Sequence, residues 1–384
     1  MAVPTLPRAV NTDEQIDSLL ADVVLDRIPA TSVNCSDNFF ERACLHGVAS
    51  LVYERVKATG EFTAPFATRF RQEAIARAMW ELRHRTLLSH VMAALRDRGV
   101  LPVCFKGTAL AYGLYQQPHH RSRGDTDLIV PLRALAATRS AFQSVGLHRQ
   151  NSLPGDSVHA QEVWLWRGRE GDVHAIDLHW RINNARALGD LFSYEELHAT
   201  AHGLPLLGNL AVTDNVNSLI IAAFHRAVHQ FDRHTVSTGS VHSGERLCWL
   251  YDIHLLSQTL TREDWDRAFS LARSKGVEAT LVQSLRLAHA RFETPLPDQL
   301  SGATVHWGLA DRYLQKSPLQ REFAEVFGWG IGRAARHLSD VILPPGDYMR
   351  SKYAAARCGW VPWLHVRRWA EGFLKRVAMS RAGA

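Results

Sequence analysis

Apolar residues in this chain recur at helical spacing toward both ends and at strand spacing in the middle. From about residue 65 to residue 98, Phe70, Ala74, Ala78, Leu82, Leu88, Val91 and Leu95 return at intervals of three, four or six, which predicts one buried helix face. Gly99 stands where a left-handed residue closes such a helix. Shorter amphipathic pieces precede it, from Glu14 to Leu25 and from Phe39 to Val56, behind a lead at residues 1–10 that carries two prolines.

Between residues 100 and 182 the period shortens. Val100 to Phe105 reads as a strand, Lys106 to Thr108 as a turn and Ala109 to Tyr115 as a short helix. A polar loop follows at 116–124. Asp125 to Val130 is a second strand, and Leu132 to Val145 a helix closed by Gly146. Glu162 to Trp166 and Val173 to Trp180 are two more strands, and the glycine-containing connector between them suits a hairpin. From Thr213 the helical period returns: a helix capped by Thr213 or Asp214 and reaching His229, a polar loop at 230–244, then helices near 246–260, 262–275 and 278–291, with Pro344-Pro345 breaking a later stretch.

The pattern predicts an α+β fold. A small mixed β-sheet core at residues 99–212 is flanked by an N-terminal helical region, 1–98, and a C-terminal helical region with a basic tail, 213–384. A chain of 384 residues, 46% of them apolar, is long enough for two or three packed units.

Composition narrows the setting. No run of about 18 apolar residues occurs, so no membrane span is expected. The N-terminus lacks the apolar core of a secretory signal. Five single cysteines without C-x-x-C spacing argue against a disulfide framework or a zinc ribbon, and a cytoplasmic location is expected. Residues 346–384 hold eight basic residues against Asp347 and Glu371, so this tail alone carries the whole formal net charge of +6. A solvated helix face is the plain reading of that tail; attraction to phosphate-rich partners or anionic lipid is the other. Trp360, Trp363 and Trp369 are interleaved with its arginines, as in a packed amphipathic helix or a nucleic-acid surface.

Candidate chemistry lies in the middle. In Asp125-Thr-Asp127 the carboxylates stand at i and i+2, on one face of a strand. Side by side they repel unless a cation intervenes, and Mg²⁺ prefers such oxygens. Asp177 is a third candidate acid: in Ala175 to Trp180 the apolar Ile176, Leu178 and Trp180 alternate with Asp177 and His179, which share the other face. Three acids on neighbouring strands suit two divalent ions about 3.5–4 Å apart. Lys106, Gly107 and Thr108 form a glycine turn between strand and helix, where backbone, hydroxyl and ammonium can meet a phosphate. Arg121 and Arg123 precede the acidic pair and can hold anionic oxygens.

The stretches Phe105-Lys-Gly-Thr-Ala-Leu-Ala-Tyr-Gly-Leu-Tyr115, Arg121-Ser-Arg-Gly-Asp-Thr-Asp-Leu-Ile-Val130 and Ile176-Asp-Leu-His-Trp180 resemble the uncharacterised nucleotidyltransferase family, part of the DNA polymerase beta-like nucleotidyltransferase superfamily. Arg246-Leu-Cys-Trp-Leu-Tyr-Asp-Ile-His-Leu-Leu256 and Leu343-Pro-Pro-Gly-Asp-Tyr-Met-Arg350 are similar to its helical C-terminal half, which extends the resemblance over roughly residues 65–370.

The resemblance implies transfer of a nucleoside monophosphate from an NTP to an unidentified acceptor, with release of pyrophosphate. It implies two Mg²⁺ ions (or Mn²⁺) held by Asp125, Asp127 and Asp177, and nucleotide contacts from Lys106, Gly107, Thr108, Arg121 and Arg123. The acceptor is a small molecule, a peptide or an RNA, and neither the base of the NTP nor the oligomeric state is legible. Two departures stand out: Thr108 replaces the usual small Gly or Ser, and the gap to Asp125 is longer, leaving an extra loop at 116–124. These keep open a non-catalytic nucleotide- or phosphate-binding module, and the basic tail a toxin-like enzyme that modifies tRNA.

Other polar residues have plainer readings. His225 and His229 lie four apart on one helix face but lack the glutamate of a zinc-protease pattern. His179 is either a contact to acceptor or phosphate, or a hydrogen-bonded structural residue. Asp252, in an apolar helix, needs a partner: a basic residue of the α/β unit is the expectation, and a contact to substrate the alternative. His119 and His120 are expected to be exposed.

Overall fold

The computed structural model describes residues 12–27, 37–59, 64–150, 160–168, 170–232, 234–235, 241–242, 244–300, 304–328 and 360–381, together with 346, 349, 350 and 353. The lead at 1–10, the Pro344-Pro345 break and most of the 343–350 stretch lie outside the described residues.

Three helices open the chain: α1 (Asp13–Val24), α2 (Asp37–Leu45) and α3 (Ala49–Thr59). Thr12 and Gln15 form a reciprocal capping box at the start of α1. The piece expected from Phe39 to Val56 is two helices, because Gly47, at φ 69°, turns the chain between them. The long helix α4 (Ala64–Arg96) follows. Its expected apolar stripe holds at the ends, where Phe70, Ala74, Leu88, Val91 and Leu95 are buried, and fails in the middle. Leu82 is half exposed there, while Glu81 and His84 face inward.

The sheet is larger than the small one expected. Its strands are β1 (Val103–Phe105), β2 (Asp125–Ile129), β3 (His148–Arg149), β4 (Gln161–Arg167), β5 (Val173–His179), β6 (His202–Leu204) and β7 (Leu210–Val212), in the order β3-β4-β5-β2-β1-β7-β6. β4 and β5 form the expected antiparallel hairpin. β2 runs antiparallel to β1 and parallel to β5, and β7 joins β1 in parallel. The short strands β6 and β7 carry too few residues to show an alternation, so the period did not mark them. Between the strands lie α5 (Gly107–Gly113), α6 (Leu135–Ser144), α7 (Arg186–Gly189) and α8 (Tyr194–Ala199).

The C-terminal half is helical: α9 (Asn215–His229), α10 (Leu247–Thr259), α11 (Arg262–Lys275), α12 (Glu278–Phe292), α13 (Leu309–Leu314), α14 (Pro318–Gly328) and α15 (Val361–Arg381). Asp214 caps α9 by accepting from the amides of Val216 and Asn217. Within the loop expected at 230–244, residues 234–235 and 241–242 pair as a two-stranded ribbon.

Strand alternation sends side chains to two separate cores. On one face, Cys104, Leu128, Ile176 and Leu178 pack against α4 and α6. On the other, Val103, Phe105 and Ile129 pack against α9 to α12. A third core joins α1 to α3 with the first turns of α10 and with Phe292. Of the expected packed surface on α15, Leu364 is buried but Trp363 and Trp369 are about half exposed, and Trp360, just before the helix, is more exposed still. No helix among the described residues is long and apolar enough to cross a membrane. Among those residues, Cys44, Cys104 and Cys248 are free thiols.

Candidate active site

The site forms where the sheet face that carries Phe105 and Ile129 leaves its apolar core. Register decides this. Asp127 stands opposite Phe105 on β1 and opposite Asp177 on β5, and Asp125 lies two residues earlier on the same face. Paired residues on adjacent strands project together, about 4.7–4.9 Å apart along the hydrogen-bonding direction. The three acids proposed from the sequence therefore converge. All three line a cleft of about 530 Å³ between the sheet and helices α9 and α10.

Charge in the cleft is unbalanced. Lys106 Nζ donates to Asp127 Oδ1 at 2.7 Å, and His179 Nε2 sits 2.9 Å from the same oxygen. Burial raises the Asp127 carboxyl, but the Lys106 ammonium and the His179 contact outweigh it and hold this acid well below its ordinary range. At Asp125 and Asp177 the same cation is outweighed. Burial, then the charge of Asp127, pushes Asp125 up to about 6. Burial, then Asp127 and Asp125, pushes Asp177 up to about 8. Asp177 Oδ2 has a long contact with the Gln161 amide, at 3.5 Å.

Part of this set could hold a divalent cation, and Asp125 stands outside that part. Asp127, Asp177 and His179 bring potential ligand atoms within 4.8 Å of one another, and the cluster is rich in the hard oxygens that Mg²⁺ prefers. His179 is fully buried, edge-on to Phe105, and its Nδ1 has no hydrogen-bond partner among the described residues.

The turn that carries Lys106 is sharp. Lys106 adopts φ 57° and ψ −137°, a region that L side chains rarely occupy and that is common at functional turns. Gly107 opens α5 and lines the cleft; a Cβ there would lie 3.3 Å from Arg123 Cδ. Thr108 behaves differently from expectation. Its hydroxyl is buried beneath the site, 2.7 Å from Thr126 Oγ1, and accepts from Arg123 Nε at 2.8 Å. It does not line the cleft, because the first turn of α5 points it into the sheet.

Both loop arginines reach the cleft wall already paired. Arg121 donates through Nε to both Asp252 oxygens at 2.9 Å, and Tyr115 donates to Asp252 Oδ1 at 2.7 Å. This is the partner expected for Asp252. Arg123 holds Glu81 at 2.7 Å, and Tyr112 donates to the same carboxylate at 2.7 Å. Glu81 escaped the sequence reading because it interrupts an otherwise apolar stripe.

The far wall holds further polar residues: Asn183, Asn184, His225, His229 and Arg246, with the Trp249 ring edge-on to His225. His225 and His229 share a helix face as the spacing implied, but they join neither metal-ligating cluster among the described residues. Their one sequence signal was the i, i+4 repeat. Asn183 and Asn184 had none. His119 and His120, expected to be exposed, are half-buried and buried respectively, because their turn packs on α3 to α5.

A sequence model of a family described as uncharacterised nucleotidyltransferase matches residues 36–293. No curated protein matches the sequence. Among solved structures, the chain is similar to the antibiotic-resistance factor ANT(2'')-Ia, at 12% identity and a TM-score of 0.34, over 54% of this chain and 98% of that one. That likeness is distant, and no property of that factor is carried over.

Proposed function

We propose that this chain, which belongs to the uncharacterised nucleotidyltransferase family, transfers a nucleoside monophosphate from an NTP to a hydroxyl- or phosphate-bearing acceptor by a metal-dependent route. The observation that carries the reading is the in-register pairing of Asp127 with Asp177, which places three acids in one cleft beside a single lysine.

Asp125, Asp127 and Asp177 are the residues that would hold Mg²⁺ or Mn²⁺. Bound there, such ions supply charge neutralisation on the phosphates and polarise the attacking oxygen. Lys106 has a second use once Asp127 is otherwise neutralised: its ammonium swings from the carboxylate to the triphosphate. The Gly107 backbone is the contact offered to the phosphates, and its missing Cβ leaves room for the Arg123 side chain beside it. Asp177, at the edge of the acidic set, accepts the proton of the acceptor hydroxyl at a carboxylate oxygen. The acceptor oxygen bonds to the α-phosphorus as the bond to the β-phosphate bridging oxygen breaks, and pyrophosphate departs. His179 holds Asp127 in place. Arg121 and Arg123 act as positioning residues for the loop wall.

Trp363 and Trp369, half exposed beside Arg367 and Arg368, favour an RNA among the possible acceptors. That reading predicts RNA binding with a steep salt dependence, and salt-independent binding contradicts it.

The reaction class is tested with NTPs labelled at the α- or γ-phosphate, Mg²⁺ and a panel of small-molecule, peptide and RNA acceptors. The reading predicts α-label on the acceptor and one pyrophosphate per transfer. Transfer of the γ-label identifies a kinase-like reaction instead. Tight NTP binding with no transfer to any acceptor indicates a non-catalytic binding module.

A further inference from the structure

The extra loop at 116–124 brings two histidines against an acid of the N-terminal helices. Pro118–His120 form a single 3₁₀ turn, with Pro118 fixing its first position and the His120 amide donating to the Gln117 carbonyl at 3.0 Å. The turn packs against α3, α4 and α5. Glu54, on α3, joins His119 and His120 in a cluster whose potential ligand atoms all lie within 4.8 Å of one another.

His120 is only 4% exposed, and its Nε2 is buried without a hydrogen-bond partner among the described residues. Buried polar atoms in folded proteins are almost always satisfied, so an orphan ring nitrogen at this depth asks for a ligand. Its neighbour gives it none: the two imidazoles meet edge to face, with centroids 4.7 Å apart. The nearby basic groups are Arg55 and Lys57. Arg55 Nε donates to the Val24 carbonyl. Lys57 is largely exposed, with Nζ 3.8 Å from Glu54 Oε2, too loose a pair to occupy the carboxylate.

We propose that Glu54, His119 and His120 form a second metal site, taking a zinc-type transition metal that pins the 116–124 loop to α3. Two imidazoles and one carboxylate are a borderline donor set, suited to Zn²⁺ and its neighbours rather than to Mg²⁺. Zinc bonds of about 2.0–2.1 Å place tetrahedral donors about 3.3 Å apart, so the donors, now within 4.8 Å of one another, would have to draw closer on binding. A fourth position is left for water. The clamp bears on the cleft through the chain: one residue beyond His120 comes Arg121, which holds Asp252, and two further on Arg123, which holds Glu81. The site stands independently of the reaction proposed above.

The test uses untagged full-length protein carrying Asp125→Asn, Asp127→Asn and Asp177→Asn, stripped with chelator, so that the three cleft acids cannot account for binding. Titration with Co²⁺ is expected to give one equivalent with the visible bands of a four-coordinate site, displaced by one equivalent of Zn²⁺. His119→Ala and Glu54→Gln, at half-buried positions, are each expected to weaken Co²⁺ binding at least about tenfold, and His120→Ala to abolish it. If His120→Ala does not fold, the other two variants decide. A folded background protein that binds no Co²⁺, or binding unchanged by both His119→Ala and Glu54→Gln, overturns the site.

Discussion

Two groups of acids lie in or beside the cleft and are treated in opposite ways. Glu81 and Asp252 each receive one arginine and one tyrosine hydroxyl, all within 2.9 Å. Asp125, Asp127 and Asp177 share one lysine and one histidine, and both of those go to Asp127. Buried carboxylates are stable when paired and costly when not. The matched acids are therefore scaffold: they hold the 116–124 loop against α4 and α10. The unmatched acids keep a deficit of positive charge that substrate and metal can fill.

The comparison can be broken most forcefully at the unmatched set. Asp125→Asn with Asp127→Asn is expected to lower Mg²⁺-dependent pyrophosphate release by about 10³-fold or more, because charge held by metal supplies several kcal/mol. Thermal melting separates the two changes: Asp125→Asn removes a repelled charge and should not lower it, whereas Asp127→Asn leaves Lys106 without its partner and should lower it. A folded variant that keeps its turnover places these acids in the scaffold group.

Asp252→Asn should do the reverse. Leaving Arg121 buried beside a neutral partner costs about 3–5 kcal/mol by the usual measure of a broken buried pair. The loss is read from denaturant unfolding; a change below about 1 kcal/mol would mean that the pair is not a brace. A smaller effect is expected behind the sheet. Thr126 Oγ1 lies 2.6 Å from His84 Nε2 and 2.7 Å from the Thr108 hydroxyl. Thr126→Val strands His84 Nε2, while Thr108 keeps Arg123, and should cost about 1–3 kcal/mol, while turnover per folded molecule stays within about threefold. A collapse of turnover would show that the back of β2 takes part in the chemistry.

The mildest probe is pH. Asp177 rises from 3.8 to about 8 on folding, so between those values the folded protein retains a proton that the unfolded chain has lost. Stability of the metal-free protein should therefore decline as pH rises from about 4 to about 8. Melting of chelator-treated protein at a series of pH values checks this, and Asp177→Asn should flatten the decline. Mg²⁺ must expel the same proton, so its affinity should be greater at pH 8.5 than at pH 6. A pH-independent affinity would contradict the charge deficit.

What could be read from the sequence follows the range of the interactions. The alternation through Ile176, Asp177, Leu178 and His179 correctly gave the two faces of β5, and the i, i+2 spacing put Asp125 and Asp127 together. Those are local periods. That Asp177 would stand opposite Asp127 depends on strand register, which a single sequence does not state. The pairing of Arg121 and Arg123 depends on Asp252 and Glu81, residues 131 and 42 positions away. Thr108 was expected at the phosphates because its neighbour Gly107 is there, yet one residue along a helix turns a side chain by about 100° and sends this hydroxyl under the sheet. His119 and His120 looked like loop residues because nothing near them in the sequence reveals that α3 covers them.

The central claim is tested most directly by a crystal structure of the protein with a non-hydrolysable NTP and Mg²⁺. The account predicts metal density bridging the triphosphate to Asp125 and Asp127, with Asp177 beside it and Lys106 Nζ moved from Asp127 to a phosphate oxygen. An NTP bound outside this cleft, or one bound with the Lys106–Asp127 pair intact and no metal at the three acids, would contradict it.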